Sequence, residues 1–275
     1  MQDSMYSALF GALSNEFRLN LISNNLANVN TTGYKQDKVS FKDTFQHFAH
    51  DYILDSKPFL RGEALWPDPD VKAKPRLSEQ TTDFSQGGLH LTGNPLDFAI
   101  QGDGFFRVQD PTSGATFLTR NGNFSLDADG QIVDANGNYL LAGGSAVAVP
   151  PGSVLSVDKA GNIQSGGQVL GTIDLMYVED PKKLQRVGKN LYTVPPDAGV
   201  VPQALQPGMP VADASGDSQT IRSTINQGYL EASNVEIVPE MVRMIEVNRS
   251  FEAYNKIMQE SDSIDKRVIS TVSKS

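Results

Sequence analysis

Leu96-Asp97-Phe98-Ala99-Ile100-Gln101-Gly102-Asp103-Gly104-Phe105-Phe106-Arg107-Val108 decides the fold. Two short β-rich runs, Leu96 to Ile100 and Phe105 to Val108, flank a Gly-Asp-Gly turn. Glycine reaches positive φ without a steric cost, so the stretch reads as strand, tight turn, strand. The same pattern continues outward from about Asp83 to Thr193, with runs at 116–119, 131–133, 139–141, 172–178 and 190–194. Asn121-Gly122, Asp129-Gly130, Asn136-Gly137 and Ala160-Gly161-Asn162 mark the turns between them. Short strands at this spacing predict a sandwich, a barrel or a folded meander. Helical crossovers are missing from the pattern, which argues against a parallel α/β sheet.

The ends are built differently. From Ser4 to about Val29, Met5, Leu9, Ala12, Leu19, Ile22, Leu26 and Val29 step mostly by three or four, which predicts a helix of about 25 residues. Asn24, Asn25, Asn28 and Asn30 crowd its end, and Gly33 supplies a stop. After Pro239 the apolar residues Met241, Met244, Val247, Phe251, Tyr254, Met258, Ile264, Val268 and Val272 approach a heptad seam. Isolated helices are marginal in water, so each stripe needs a partner. The expected fold is therefore α+β: long N- and C-terminal helices paired as a coiled-coil-like domain, with a central all-β domain inserted between them. The expected boundaries are 1–36 for the first helix and its signature, 37–80 for a connector, 81–225 for the β domain and 226–275 for the second helix. In the connector, Phe41, Phe45, Phe48 and Tyr52 have helical spacing between Val39 and Leu54, and Pro67, Pro69 and Pro75 punctuate an extended stretch. A Pro/Gly/Ala loop is expected from Pro195 to about Gly216.

Composition removes several functions. The net charge of −9 and pI near 4.8 disfavour nucleic acid and anionic membrane as partners. With no cysteine there are no disulfides, thiolate metal sites or cysteine nucleophiles. No apolar run approaches the ~20 residues that span a bilayer. The start Met1-Gln2-Asp3, with Arg18 as its first basic residue, lacks the order of a Sec signal peptide.

The motifs of chemistry fail their context tests. Gly102-Asp103-Gly104 lacks the third glycine and the following helix of a phosphate loop. Asp127, Asp129, Asp134 and Asn136 fit no calcium-loop frame. His47 and His50 lack a third ligand, no serine sits in a nucleophile elbow, and Asp68 and Asp70 lie among prolines as solvated acids. The chain is expected to be no enzyme, with no cofactor, no metal and no small-molecule substrate.

Ser23-Asn24-Asn25-Leu26-Ala27-Asn28-Val29-Asn30-Thr31-Thr32-Gly33-Tyr34-Lys35 resembles the N-terminal signature of the flagellar rod and hook protein family. Gly93-Asn94-Pro95-Leu96-Asp97-Phe98-Ala99-Ile100 and Thr119-Arg120-Asn121-Gly122-Asn123-Phe124 resemble its central motifs. Gly228-Tyr229-Leu230-Glu231-Ala232-Ser233-Asn234-Val235 resembles its C-terminal signature. The resemblance implies a polymerising structural subunit of the basal-body rod, which crosses the periplasmic space, exported by the flagellar type III apparatus without a cleaved signal. It implies copies of itself and neighbouring rod proteins as partners, and terminal helices forming an inner layer around a channel. The Asp83–Leu89 segment and the proline-bearing stretch after Phe59 read more like proximal-rod than distal-rod members; hook members are longer.

Under that reading the assembly interface comprises Met5, Leu9, Leu19, Ile22, Asn24, Asn25, Leu26 and Asn28 from the first helix. From the second it takes Met241, Met244, Val247, Phe251, Tyr254 and Met258. From the stripes alone, an intramolecular hairpin with no polymer is the better explanation of these residues; the motifs reverse that order. Buried asparagines could fix register between subunits, or Asn28 and Asn30 could merely end the helix. A non-flagellar surface filament or adhesin is the competing class.

Overall fold

The computed structural model describes residues 2–45, 73–196, 199, 201–205, 211–212, 218–219 and 223–272. The chain forms two compact units, one of Met1–Asn24, Lys38–Thr81 and Val238–Ser275, the other of Asn25–Asp37 and Thr82–Ile237.

Two long helices carry the first unit: α1, Gln2–Ala27, and α2, Ile237–Val272. α1 ends among the asparagines, at Ala27. Asn28 N–H reaches back to the Asn25 carbonyl (3.1 Å) and Val29 N–H to that of Leu26 (3.4 Å), tightening the last turn. At the start of α2, Ser233 Oγ accepts the Val235 N–H (3.2 Å) just before the helix. Glu240 then sits in the first turn, paired with Arg243 at 2.6 Å, where a carboxylate suits the helix dipole.

The coiled-coil-like pairing is not found. A coiled coil buries its a and d positions along a continuous dry seam. Among the described residues of α2, only Glu240 is buried. Met244, Val247, Phe251, Tyr254 and Met258 are half-buried, while Met241, Val242, Ile245, Ile257 and Ile264 are exposed. The buried residues of α1 are mostly small or polar: Ala8, Ala12, Asn15 and Asn25, with Ile22. Gly11 lies under the Tyr254 ring, so close that a Cβ would come within 2.6 Å of two ring carbons. The helices therefore meet through a close approach of small residues beneath one aromatic ring. The unit also contains strands: Asp37–Phe45 pairs with Ala73–Thr82. The helix expected from Val39 is thus a strand as far as Phe45, and the rest of it, with Phe48, Tyr52, His47 and His50, lies outside the described residues.

The Gly11 contact makes a sign-reversing prediction. Ala exceeds Gly in helix propensity by roughly 1 kcal/mol, but its methyl would collide with Tyr254. Gly11→Ala is expected to loosen α1 in the native chain and to stabilise it by up to about 1 kcal/mol in a Tyr254→Ala background. Amide hydrogen exchange along α1 reads both.

The second unit is the β region, and its described pairings are antiparallel. Phe105–Gln109 is its hub, pairing with Thr116–Thr119, Tyr139–Ala142 and Leu175–Tyr177. Alternation along the hub splits the core in two. Phe106 and Val108 join Phe98, Ile100, Phe124, Ile132 and Leu140 on one side. Phe105 faces Leu118, Val178, Leu184 and Tyr192 on the other. The Asx-Gly turns fall where the sequence put them, with Gly130 at φ 75 and Gly137 at φ 84. Asn121-Gly122 is an exception, because Gly122 has no positive φ.

Candidate functional site: motif residues and helix faces

The motif stretches of the β unit converge on one buried polar cluster. Beyond the turn at Gly33, residues 34–37 lie beside residues 231–234. Lys35 Nζ donates to Glu231 Oε1 at 2.6 Å and to the Ser85 carbonyl at 2.7 Å. Arg120 approaches Glu231 Oε2 at 3.4 Å and donates to the Gly102 carbonyl at 3.0 Å. Gly87 N–H also donates to Glu231 Oε1 (2.9 Å). One carboxylate thus serves two cations, and all three side chains are at least 96 % buried, the exposures being 0, 4 and 1 %. Burial, the largest influence, pushes the Lys35 ammonium below its ordinary range, and the Glu231 carboxylate opposes that shift. Burial likewise lowers Arg120 against the pull of Glu231.

A second knot lies next to it. Asn25 Nδ2 donates to the Asp37 carbonyl (2.9 Å), and its Oδ1 accepts from Asp37 N–H and Tyr34 OH, both at 3.1 Å. Asp37 pairs with Arg186 (2.9 Å) and accepts from the Thr82 hydroxyl (2.7 Å). The Arg186 guanidinium stacks over the Tyr34 and Tyr192 rings at 4.8 and 5.6 Å. In the central motif, Thr92 and Asn94 both donate to the buried Asp97, at 2.6 and 3.1 Å. These groups are spent on the chain's own backbone and side chains. Among the described residues no cluster of three or more His, Asp or Glu is placed to hold a metal ion, and no helix is long and apolar enough to cross a membrane.

The residues expected at an assembly interface divide into three groups. Asn25 belongs to the polar cluster and is only 1 % exposed, so its amide is not available to set register between copies. Ile22 is buried, and Leu19, Leu26, Asn28, Met244, Val247, Phe251, Tyr254 and Met258 are half-buried. Leu9, Asn24 and Met241 are exposed, and the Met5 side chain lies outside the described residues. The residues missed were their neighbours. On α1, Leu9, Phe10 and Leu13 form an exposed apolar side; on α2, Val238, Met241, Val242 and Ile245 form another. Spacings of three and four link the members of each set along one side of its helix. The signal was present in the sequence as apolar residues left over from the seam.

A chain whose buried polar cluster is taken up by its own bonds and whose helices expose apolar residues reads as a structural subunit, and the comparisons give its family. Residues 5–35 match the family described as flagella basal body rod protein, 99–169 the flagellar hook protein FlgE/F/G D1 domain, and 226–271 the flagellar basal body rod FlgEFG protein C-terminal. The chain is 32% identical to the basal-body rod protein FlgG of Bacillus subtilis, over 96% of this chain and 97% of that one. It is also 32% identical to FlgF of Mesorhizobium japonicum, over 99% of this chain and 98% of that one. FlgF of Caulobacter vibrioides is 29% identical over 100% of this chain and 99% of its own length. The chain belongs to the flagellar basal-body rod protein family.

Proposed function

We propose that the chain is a structural subunit of the flagellar basal-body rod, of the proximal FlgF type, assembling through the exposed apolar faces of α1 and α2. Its place is the flagellar basal body, its partners are copies of itself and neighbouring rod proteins, and its work is the transmission of torque toward the hook. Export through the flagellar type III apparatus, without a cleaved signal, and passage of the rod across the periplasmic space belong to the same proposal. The observation that carries it is the pair of apolar faces on the terminal helices of a chain matched along its length by rod proteins. Contiguous exposed apolar residues are costly in water and mark contact surfaces. A subunit repeated head to tail through such faces, with a rotation that does not close, gives an open helical polymer.

Identity alone does not separate the two rod types, since FlgG and FlgF relatives both reach 32%. The proximal choice rests on the Asp83–Leu89 segment and the proline-bearing stretch after Phe59, which read more like proximal-rod than distal-rod members.

The test is the double variant Val242→Asp/Ile245→Asp. Both side chains are about half exposed, at 49 and 53 %, so the single chain is expected to fold with unchanged urea unfolding of the β unit. Burying two carboxylates in a contact costs several kcal/mol. The variant is expected to be missing from purified basal bodies, with swimming reduced to that of a deletion strain. Normal incorporation would overturn the proposed faces. Epitope labelling of wild-type basal bodies, read by axial height, decides proximal from distal.

A further inference from the structure

Residues 33–36 and 231–234 run side by side in the same direction. Gly33 N–H donates to the Glu231 carbonyl (2.8 Å) and Gln36 N–H to Asn234 Oδ1 (2.8 Å). The buried Lys35–Glu231 pair lies between those two bonds.

The backbone leaves the β unit four times: before Asn25, after Asp37, before Thr82 and after Ile237. Inside the unit these exits are fastened to one another. Asn25 holds the Asp37 backbone at both N–H and C=O. Asp37 accepts from Thr82, and Asp83 N–H donates to the Gln36 carbonyl (2.8 Å). Asn234 closes the ring, donating to the Asp83 carbonyl at 2.8 Å while accepting from Gln36.

We propose that this ring is a mechanical clamp that resists tension applied between the two chain termini. Such tension draws the first stretch from its residue-25 end and the second from its residue-237 end. Two stretches running in the same direction and pulled from opposite ends are loaded in shear. Their hydrogen bonds and the ion pair must then yield together. Pulled apart from a common end, they would open one at a time. The ion pair adds to the clamp because its charges have no water to fall back on while it breaks. The clamp is a property of the single chain; its use under torque rests on the rod reading.

Constant-force spectroscopy on the full chain tests it, and the absence of native cysteine lets handles be placed at will. One set of chains carries handles at the two termini. The other carries them through Ser113→Cys and Gln168→Cys, both exposed positions of the β unit. The wild-type β unit is expected to survive longer at equal force with terminal handles. Lys35→Met is expected to shorten that lifetime about a hundredfold, and the lifetime in the second geometry by less than about tenfold. Equal wild-type lifetimes in both geometries would overturn the proposal, and that comparison needs no variant. Equal shortening in both geometries would overturn it too, leaving Lys35 as a stabilising residue only. A clamp that holds in a chain absent from basal bodies would fault the rod reading and leave the mechanics standing.

Discussion

Glu231→Gln is expected to cost the β unit about 3–5 kcal/mol at neutral pH, read as a lower urea midpoint with an unchanged slope. The substitution keeps the shape and removes one charge. Lys35 and Arg120 then remain buried as two cations without their shared carboxylate. Lys35 Nζ keeps the Ser85 carbonyl and the more distant charge of Asp83, and Arg120 keeps the Gly102 carbonyl and that of Asp103, which replace the lost carboxylate only in part. The deficit is also expected to depend on pH, and its sign follows from Lys35. Burial already holds its folded pKa below the ordinary lysine value of 10.5, and Glu231 limits that shift. Between the folded value and 10.5 the unfolded chain binds more protons, so this group's contribution to stability rises with pH across that window. Without Glu231 the folded value falls further and the window opens nearer neutrality. The variant should therefore recover part of its deficit, relative to wild type, as pH rises above neutrality toward the ordinary lysine value of 10.5. A deficit that grows over that interval would mean that Lys35 is not the group left stranded.

The Lys35–Glu231 pair shows which part of the site was out of reach of the sequence. Its members are 196 residues apart, and no local periodicity links them. Turns and helices were legible because their causes are local: Asp-Gly and Asn-Gly supply positive φ within two residues, and a stripe at three and four repeats within one turn. The strand Asp37–Phe45 was misread for a related reason. Phe41 and Phe45 are four apart, and four is close to one helical turn but is also two strand repeats. Val39 completes an alternation, Val39, Phe41 and Phe45 all falling on odd positions, which is the strand period. The bonds of Asn25 are not legible locally, because an amide at a helix end can serve a neighbour in another chain or in its own. Only the position of Asp37, set by the fold, decides between them. The helix seam failed more instructively. Heptad spacing on α2 was real, and its half-buried residues follow it. The facing side of α1, however, offers Ala8, Gly11 and Ala12, which cannot supply knobs for a coiled-coil seam.

Gly122→Ala is expected to have the largest effect of any single methyl added to the β unit, more than about 4 kcal/mol and enough to abolish its cooperative unfolding. The Asn-Gly pair suggested a hairpin tip, where glycine is chosen for positive φ. Gly122 is needed for a different reason. Its carbonyl accepts the Phe98 N–H at 3.0 Å, and Asp97 bridges to Asn123 beside it. The two backbones lie so close that a Cβ would overlap the Phe98 carbonyl oxygen and come within 2.7 Å of its carbonyl carbon. Relief would require moving backbone, because nothing in the way is a flexible side-chain end. Phe98 cannot retreat: it is fully buried, its ring packs against Phe124 at 5.9 Å, and its strand pairs with Thr224–Gln227. Gly137→Ala is the matched control. Gly137 has φ 84 but open space around its missing side chain, so alanine there is expected to cost only about 1 kcal/mol. Urea unfolding of the two variants separates the cases. If Gly122→Ala unfolds within about 1 kcal/mol of Gly137→Ala, the approach of residues 98 and 122 is looser than described. A large gap would show that the glycine of Thr119-Arg120-Asn121-Gly122-Asn123-Phe124 is there to let two backbones touch.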